Sequence, residues 1–240
     1  MTDSANKPSM MTFEDPLTYL PRKPVQEFAR DRVIYNPQHP SEHLYVVILG
    51  RVKTTSIAED GFQTISRIIR TEGLFGESCL IGFRGASETA TALDTVSVMA
   101  WSRNEIETQI EREPRLGIAL AQYMVLQTLE LQDRIESMAI HKTPERVMLA
   151  LIQLAQVLGT PTQDGSTRLA SLTHHTIAEY VGTSREIVTF QMNRLRRMGM
   201  LRYSRKHIDV YAPAMKELLS QEGIPVQSVV TAGAVRLAAG

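Results

Sequence analysis

The chain has 240 residues, of which 43% are hydrophobic and 22% charged, and its 26 basic side chains are balanced by 26 acidic ones. These values are ordinary for a globular protein. With no run of about 18 apolar residues and no signal-peptide pattern, we expect a cytoplasmic protein without a membrane segment. The single cysteine, Cys79, excludes an internal disulfide framework.

The first half of the chain has the pattern of a small all-β domain. Residues 1–28 are polar and rich in proline and predict an N-terminal extension with at most a short helix around 24–29. Short apolar runs separated by turn residues follow, and Asp60-Gly61 between two of them indicates a hairpin. Many short strands joined by turns predict a barrel, roll or sandwich. The predicted strands are Leu44–Leu49, Val52–Ile57, Phe62–Ile69, Thr89–Leu93 and Val96–Trp101.

Helices replace strands after Ser102. The sequence Ser102-Arg103-Asn104-Glu105 predicts a capping box at the start of one helix. Pro114 begins a second helix that continues to about Ile140. Four apolar residues of that helix have heptad-like spacing, which indicates either a self-paired coiled coil or packing along its own β domain. These four are Leu120, Met124, Leu131 and Met138.

The last third of the chain has the pattern of a winged helix-turn-helix. A helix from Thr143 to about Leu158 is followed by a polar loop, Gly159–Thr167. A short helix then begins at Thr173, and Gly182 ends it in the turn that the motif needs. Thr183-Ser184-Arg185-Glu186 predicts a capping box for the next helix. The predicted wing consists of Leu201–Tyr203 and Ile208–Tyr211, and residues 213–240 are predicted to be a short helix and a loose tail.

Charge and side-chain chemistry on this motif indicate DNA binding. Between Gly182 and His207 there are seven basic side chains and one acidic one, although a basic solvated helix face would have the same charge. Arginine can bind guanine with two hydrogen bonds and glutamate can accept one from cytosine, and the first turns of a recognition helix reach base edges. The predicted DNA-contacting residues are Thr173, Ser184, Arg185, Glu186, Thr189, Phe190, Arg194, Arg205 and Lys206.

Three stretches, in this order, resemble the CRP/FNR family of transcription regulators: Leu44–Val52, Gly73–Glu77 and Ile177–Glu186. The resemblance implies an α+β fold with an N-terminal antiparallel β-roll (jelly-roll-like), a long dimerisation helix and a C-terminal winged helix-turn-helix. It also implies a homodimer on a two-fold palindromic DNA site, with RNA polymerase as a further partner. The expected boundaries are 1–28 for the extension, 29–112 for the β-roll sensor domain, 113–141 for the dimerisation helix, 142–212 for the DNA-binding domain and 213–240 for the tail.

The expected effector pocket departs from the members of this family that bind cyclic AMP. Glu77 matches their ribose-binding glutamate, but Ser87-Glu88 stands where they have an Arg-Ser pair for the phosphate. A carboxylate at that place repels a phosphate. We therefore predict that cyclic AMP is not the effector, and an unidentified ligand and no ligand both stay open. The candidate pocket residues are Gly76, Glu77, Arg84, Ser87, Glu88, Leu131 and Gln132.

The sequence predicts no other chemistry. One cysteine cannot hold an iron–sulfur cluster. We expect Cys79 to be a small buried hydrophobic residue, in preference to a haem ligand or a redox switch. The adjacent His174 and His175 make a poor metal pair, so we expect no metal site. We expect no catalytic constellation either. The alternative function is a ligand-binding module that acts through protein–protein contacts and has no affinity for DNA.

At the DNA surface one predicted reader departs from the family. Arg185 and Glu186 match the residues that read a G·C pair, but Phe190 stands where the family usually has arginine. An outward aromatic ring can contact a thymine methyl group, or it can fold back against the wing. We therefore expect a site related to the family's TGTGA-type half-site but altered at one base pair.

Overall fold

The computed structural model describes residues 13–57, 61–82, 87–170, 172–204 and 206–224. Twelve strands and six α-helices lie within these ranges. Among these helices, none combines the length and the apolar character that crossing a bilayer needs. The order of the elements follows the prediction: strands first, then a long helix, then a smaller domain of helices and short strands.

The N-terminal domain is an antiparallel β-roll of two four-stranded sheets, with the strand orders β1-β8-β3-β6 and β2-β7-β4-β5. The inner faces of the sheets meet in a core that contains Val47, Phe75, Ala90 and Val98. This arrangement confirms the predicted antiparallel roll. Its strands are β1 (Gln26–Phe28), β2 (Val33–Tyr35), β3 (His43–Leu49), β4 (Val52–Ile57), β5 (Gln63–Ile69), β6 (Leu74–Phe75), β7 (Glu88–Ala92) and β8 (Val96–Ser102).

Two details of the N-terminal prediction are wrong. The short helix expected around 24–29 is instead strand β1, which pairs antiparallel with β8. The last residues of the predicted extension therefore belong to a sheet, because β8 offers them an open edge. The earlier residues from Phe13 to Tyr19 pack against the hydrophobic cluster that includes Trp101.

Two helices leave the β-roll. Helix α1 (Arg103–Arg112) has the predicted capping box, with the Ser102 side chain bonded to the N–H of Glu105 and the Glu105 side chain bonded to the N–H of Ser102. Helix α2 (Arg115–Ile140) has 26 residues, which makes it roughly 39 Å long. It begins after Pro114 and ends at Ile140, as predicted.

Helix α2 has an inner face and an open face. Leu116, Leu120 and Tyr123 are buried against the β-roll, and the Tyr123 hydroxyl accepts a hydrogen bond of 2.9 Å from the N–H of Leu74. Leu120 is therefore not part of an open seam, whereas Leu131 and Met138 of the same predicted set are each 42% exposed. The exposed apolar residues follow a different stripe, with Ile118 at 54%, Val125 at 58% and Ile135 at 67% exposure. The first half of α2 thus packs along its own β domain, which is one of the two alternatives expected. A second apolar face of the helix remains exposed.

The C-terminal domain packs four helices against a small sheet of order β11-β12-β10-β9. Its core includes Leu151, Ile177, Val188 and Met192. Helix α6 also contributes Met215 and Leu219 to this core, so the stretch assigned to the tail supplies a packed helix. The elements are α3 (Thr143–Leu158), β9 (Thr160–Pro161), β10 (Thr167–Ala170), α4 (His174–Val181), α5 (Arg185–Arg197), β11 (Leu201–Tyr203), β12 (His207–Val210) and α6 (Ala212–Gln221).

The segment predicted as a polar loop is the start of a hairpin. Strand β9 pairs with β10, and β10 pairs in turn with β12 of the wing. Asp164 organises the turn because its carboxylate accepts hydrogen bonds from Ser166 Oγ at 2.7 Å and from the Tyr211 hydroxyl at 2.9 Å. Hydrogen bonds from Thr162 first, then from Ser166 and Tyr211, lower the pKa of the Asp164 carboxyl group. The polar composition that predicted a loop is therefore the composition of a tight turn.

Helix α4 joins the two domains. Arg134 of α2 donates hydrogen bonds of 2.9 Å to the carbonyls of both Ile65 in β5 and Tyr180 in α4, and its guanidinium lies 4.5 Å from the centre of the Tyr180 ring. Lys53 of β4 forms an ion pair of 2.9 Å with Glu179, whose side chain is 5% exposed. Ile65 of the β-roll also belongs to the hydrophobic cluster of the C-terminal domain. The position of the helix-turn-helix relative to the β-roll is thus fixed by specific contacts.

Candidate nucleic-acid interface

Two capped helices and a left-handed glycine form the helix-turn-helix. Thr173 caps α4 by accepting a hydrogen bond of 3.0 Å from the N–H of Thr176. Gly182 ends α4 with φ 73° and ψ 51°, a conformation that favours glycine, and a Cβ there would lie 2.8 Å from the terminal methyl of Met138. Ser184 caps α5 by accepting from the N–H of Ile187 at 3.3 Å. The cap is therefore Ser184 and not Thr183, and the predicted capping box from Thr183 to Glu186 is wrong, because the third residue of the helix is Ile187.

Helix α5 divides its residues between core and solvent. Val188, Met192 and Leu195 are buried, as the spacing predicted. Arg185, Glu186 and Arg194 are exposed, and Phe190 is 60% exposed. Of the two orientations expected for the Phe190 ring, this exposure favours the outward one over packing against the wing. The structure thus brings the predicted base readers together on one outer surface.

The first turn of α5 keeps Glu186 ionised. The backbone N–H of Glu186 and the Ser184 side chain bond to its carboxylate and lower its pKa. A carboxylate near a helix N-terminus also has a favourable interaction with the helix dipole. Glu186 is therefore an acceptor only, which is the property needed to bind the amino group of a base.

The wing is an antiparallel hairpin that sits beside α5. Tyr203 in β11 pairs with Ile208 in β12, and the Tyr203 hydroxyl donates a hydrogen bond of 2.9 Å to Asn193 Oδ1. The guanidinium of Arg196 lies 5.3 Å from the centre of the Tyr203 ring. Lys206 is exposed at the turn, and the predicted contact Arg205 lies outside the described residues. The wing and the recognition helix are thus joined through Tyr203.

Sequence reasoning missed the role of His174 in this surface. Its Nδ1 is 2.9 Å from the hydroxyl of Thr189, and its ring meets the ring of Tyr203 edge-on with centroids 5.5 Å apart. Thr189, a predicted base reader, is half-buried because of this neighbour. The only signal available in the sequence was a histidine directly after the cap Thr173, which does not identify a contact to a residue fifteen positions later.

The second predicted site, the effector pocket, contains an arginine that was not predicted. Gly76 has φ 82°, and a Cβ there would lie 2.5 Å from the carbonyl oxygen of His43, so glycine is required to place Glu77. The Glu77 carboxylate binds Arg67 at 2.8 Å. Arg67 also donates to Gln127 and to the carbonyl of Leu74, both at 2.9 Å. Glu77, the residue matched to a ribose, is thus already paired with a side chain of the protein.

A second carboxylate lies close to this pair. Glu88, at the start of β7, accepts a hydrogen bond from the Tyr35 hydroxyl. Burial, and then the charge of Glu88, raise the pKa of Tyr35. Tyr35, Tyr45 and Phe75 form a stack in which the closest ring centroids are 4.9 Å apart. Two carboxylates around one arginine leave no cationic side chain free among these residues to meet a phosphate.

The other candidate pocket residues are placed elsewhere. Leu131 and Gln132 are exposed on α2, and Leu131 lines a cavity of about 50 Å³ together with Arg67 and residues of α3. Ser87 is exposed before β7, and Arg84 lies outside the described residues. Within this single chain the structure brings together Gly76, Glu77 and Glu88 but does not bring Leu131 and Gln132 to them.

Cys79 is a buried thiol with 5% exposure. Burial and the charge of Glu77 raise its pKa to about 11. The thiolate form that metals and oxidants need is therefore disfavoured. In the described part of the chain, no three His, Cys, Asp or Glu side chains converge into a group that could hold a metal ion.

Comparisons with known proteins match both halves of the chain. A model of the cyclic nucleotide-binding domain matches residues 25–113, and a model of the Crp-like helix-turn-helix domain matches residues 145–218. The Global nitrogen regulator of Nostoc sp. is 27% identical over 191 residues, which cover 79% of this chain and 86% of the relative. The CRP-like cAMP-activated global transcriptional regulator of Mycobacterium tuberculosis is 26% identical over 183 residues, covering 76% of this chain and 81% of that protein. A solved structure of a CRP/FNR-family transcriptional regulator from Thermus thermophilus has a TM-score of 0.66 at 27% identity and covers 82% of this chain and 98% of its own.

Proposed function

The chain belongs to the CRP/FNR family of transcription regulators and has its helix-turn-helix DNA-binding domain, and from that premise we propose that it binds a two-fold palindromic DNA site as a homodimer, without cyclic AMP. The observation that carries the proposal is the outer surface of α5, where Arg185, Glu186, Phe190 and Arg194 are all exposed. This surface presents two ionised base readers at the end of a recognition helix that enters the major groove.

The uncovered stripe of α2 supports the homodimer. Ile118, Val125, Gln132 and Ile135 follow one another at intervals of seven, seven and three residues, and three of these four are large exposed apolar side chains. A heptad repeat of this kind pairs with a copy of itself when two helices supercoil. Two copies related by a two-fold axis would carry two recognition helices, which a palindromic site with half-sites about one helical turn apart requires.

Selection of DNA sites from a random pool by the purified protein, with no ligand added, tests this function. We expect enrichment of a two-fold palindrome that keeps the G·C pair read by Arg185 and Glu186. At the pair facing Phe190 we expect a thymine, because the exposed ring can contact its methyl group. Phe190→Arg should return the preference to the unaltered family half-site.

Met198→Arg is the matched control for this selection. Met198 follows α5 and is 42% exposed, so the substitution adds the same charge without adding a base reader. We expect it to change affinity for all sequences alike. A strong preference of the unchanged protein for the TGTGA-type half-site would contradict the altered-site hypothesis. No enrichment by folded dimer, with or without cell extract, would favour the alternative of a module that acts through protein–protein contacts.

Independence from cyclic AMP is supported by the pairing of Glu77 with Arg67 and by the position of Glu88. We expect isothermal titration with cyclic AMP to give no saturable heat, and we expect the affinity for the selected DNA site to be unchanged by the nucleotide. The same preparation must bind that site, which shows that it is folded and active. Saturable binding in the micromolar range would contradict this part of the proposal.

RNA polymerase is the further partner that we propose, as the family implies. The turn of the β9–β10 hairpin presents exposed residues, Gln163, Asp164 and Gly165, at the place where some relatives touch the polymerase. We propose that the protein acts in the cytoplasm, where DNA and polymerase are, and that it has no catalytic activity of its own.

A further inference from the structure

His174 lies at the meeting point of three parts of the DNA-binding surface. It is the first residue of α4, it contacts Thr189 in α5, and its ring meets Tyr203 of the wing. Together with Thr173, Arg185 and Ser204 it lines an open cleft between these elements. A DNA backbone that follows the recognition helix into the groove passes beside such a cleft.

The hydrogen bonds around Thr189 fix which ring nitrogen of His174 carries hydrogen. The Thr189 hydroxyl donates its one hydrogen to the carbonyl of Arg185 at 2.8 Å. Its oxygen must therefore accept from His174, so His174 Nδ1 carries the hydrogen. Among the described residues Nε2 has no hydrogen-bond partner. Any further proton on this ring is accordingly added at Nε2.

The charged surroundings of His174 make the free protein resist that proton. Burial, and then the positive charge of Arg185 in α5, lower the pKa of His174. On its own helix the neighbouring His175 lies 3.4 Å from Glu179, which is also paired with Lys53. On the wing, Tyr203 is uncharged and bound to Asn193, and His207 lies 3.7 Å from Asp209. No described carboxylate within bonding distance therefore favours a charged His174.

We propose that His174 is a proton-linked contact of the DNA interface: Nδ1–H holds the Thr189 hydroxyl, while Nε2 takes a proton from solvent and donates it in a hydrogen bond to a phosphate oxygen of bound DNA. The phosphate supplies the negative charge that the free protein lacks at this place, so the protonated ring is favoured in the complex. Thr189 is oriented by the same ring, which makes His174 a positioning residue for the base-reading surface as well. This inference rests on the proposed DNA-binding function.

The sign of the pH dependence follows from the two states. The pKa of His174 is below its ordinary value in the free protein and is raised by a phosphate in the complex. DNA binding therefore takes up a proton between these two values, and affinity falls as the pH rises through that interval. For one histidine the change is at most about tenfold per pH unit. A homodimer on a palindrome has two such histidines.

The test measures affinity for the selected DNA site by fluorescence anisotropy from pH 5.5 to 8 at constant ionic strength. We expect the full-length protein to bind at least several-fold more tightly at the low end. His174→Asn places an amide N–H near the position of Nδ1, so it can still hold Thr189, but it has no group at Nε2. We expect His174→Asn to bind with a flat pH profile, because no proton is taken up at this position when DNA binds.

His175→Asn is the matched control, because His175 lines the same cleft but lies 3.4 Å from the Glu179 carboxylate. We expect this variant to keep the pH dependence. A pH-dependent His174→Asn, or a pH-independent unchanged protein, would overturn the inference. If the affinity of His175→Asn alone were independent of pH, the proton would be assigned to His175, and the inference about His174 would be overturned as well. Absence of any selected site is a different result, because it contradicts the proposed function itself and not the role of one histidine.

Discussion

Replacing Arg185 with alanine is expected to weaken binding of the selected DNA site by roughly 30-fold or more. A bidentate arginine–guanine contact is worth about 1–3 kcal/mol, and a homodimer loses one such contact in each half-site. Arg185 is fully available for this contact because it lies in the first turn of α5, beyond the cap Ser184, and is exposed. The measurement is the Kd from anisotropy at one fixed salt concentration, with the selected site and with each single-base variant of it.

The change in sequence preference across the single-base DNA variants is a sharper test of Arg185 than the loss of affinity for the selected site. The alanine protein should no longer discriminate at the G·C pair and should keep its preferences elsewhere. Arg30→Ala is the control, since that side chain is 65% exposed and lies in the β-roll, far along the chain from the recognition helix. If Arg185→Ala bound the selected site within twofold of the unchanged protein, the assignment of α5 as the base-reading helix would be wrong.

Replacing Arg67 with methionine is expected to destabilise the protein by about 3 kcal/mol. The side chains of Arg67 and Glu77 are only 17% and 20% exposed, so removing the arginine leaves the Glu77 carboxylate and the Gln127 side-chain oxygen without this donor. In a chain of this size that loss lowers the Tm by about 6–12 °C. Thermal unfolding at one protein concentration measures it.

Two further variants separate the ion pair from general packing. Arg67→Met combined with Glu77→Gln should recover part of the lost stability, because the glutamine removes the unpaired charge. Arg103→Met removes the arginine of an exposed pair with Glu107, whose side chains are 49% and 52% exposed; its cost should be at most about 0.5 kcal/mol. A Tm of Arg67→Met equal to that of Arg103→Met would show that the pair does not hold the pocket.

The elements that local chemistry determines were predictable from the sequence. Gly182 and Ser184 fix the turn and the start of α5, and the spacing of Val188, Met192 and Leu195 fixes which side of the helix faces the core. The capping box at Ser102 likewise depends on residues only three positions apart. In each case the sequence contains all of the interacting groups within one or two turns, so periodicity and capping rules place the element to within a residue, as for α5, where they named Thr183 and the cap is Ser184.

What the sequence did not reveal depends on contacts between distant residues. Arg67 meets Gln127 across 60 positions, and no local pattern distinguishes such an arginine from one on a solvent-exposed strand. The burial of Leu120 was not predictable because Leu120 and Ile118 are equally apolar, and only the β-roll decides which of them is covered. The β9–β10 hairpin was missed for the same reason: β10 is held by β12, some forty residues later along the chain.

The contact of α4 with the β-roll has a consequence for how the protein unfolds. Ile65 and Ile68 of β5 lie in the same apolar cluster as Ile177 and Val181 of α4, and Arg134 binds backbone carbonyls on both sides of that boundary. Separating the domains would expose this cluster and leave those carbonyls without their donor. The two domains therefore form one cooperative unit, and the helix-turn-helix cut away from the β-roll would lack part of its own core.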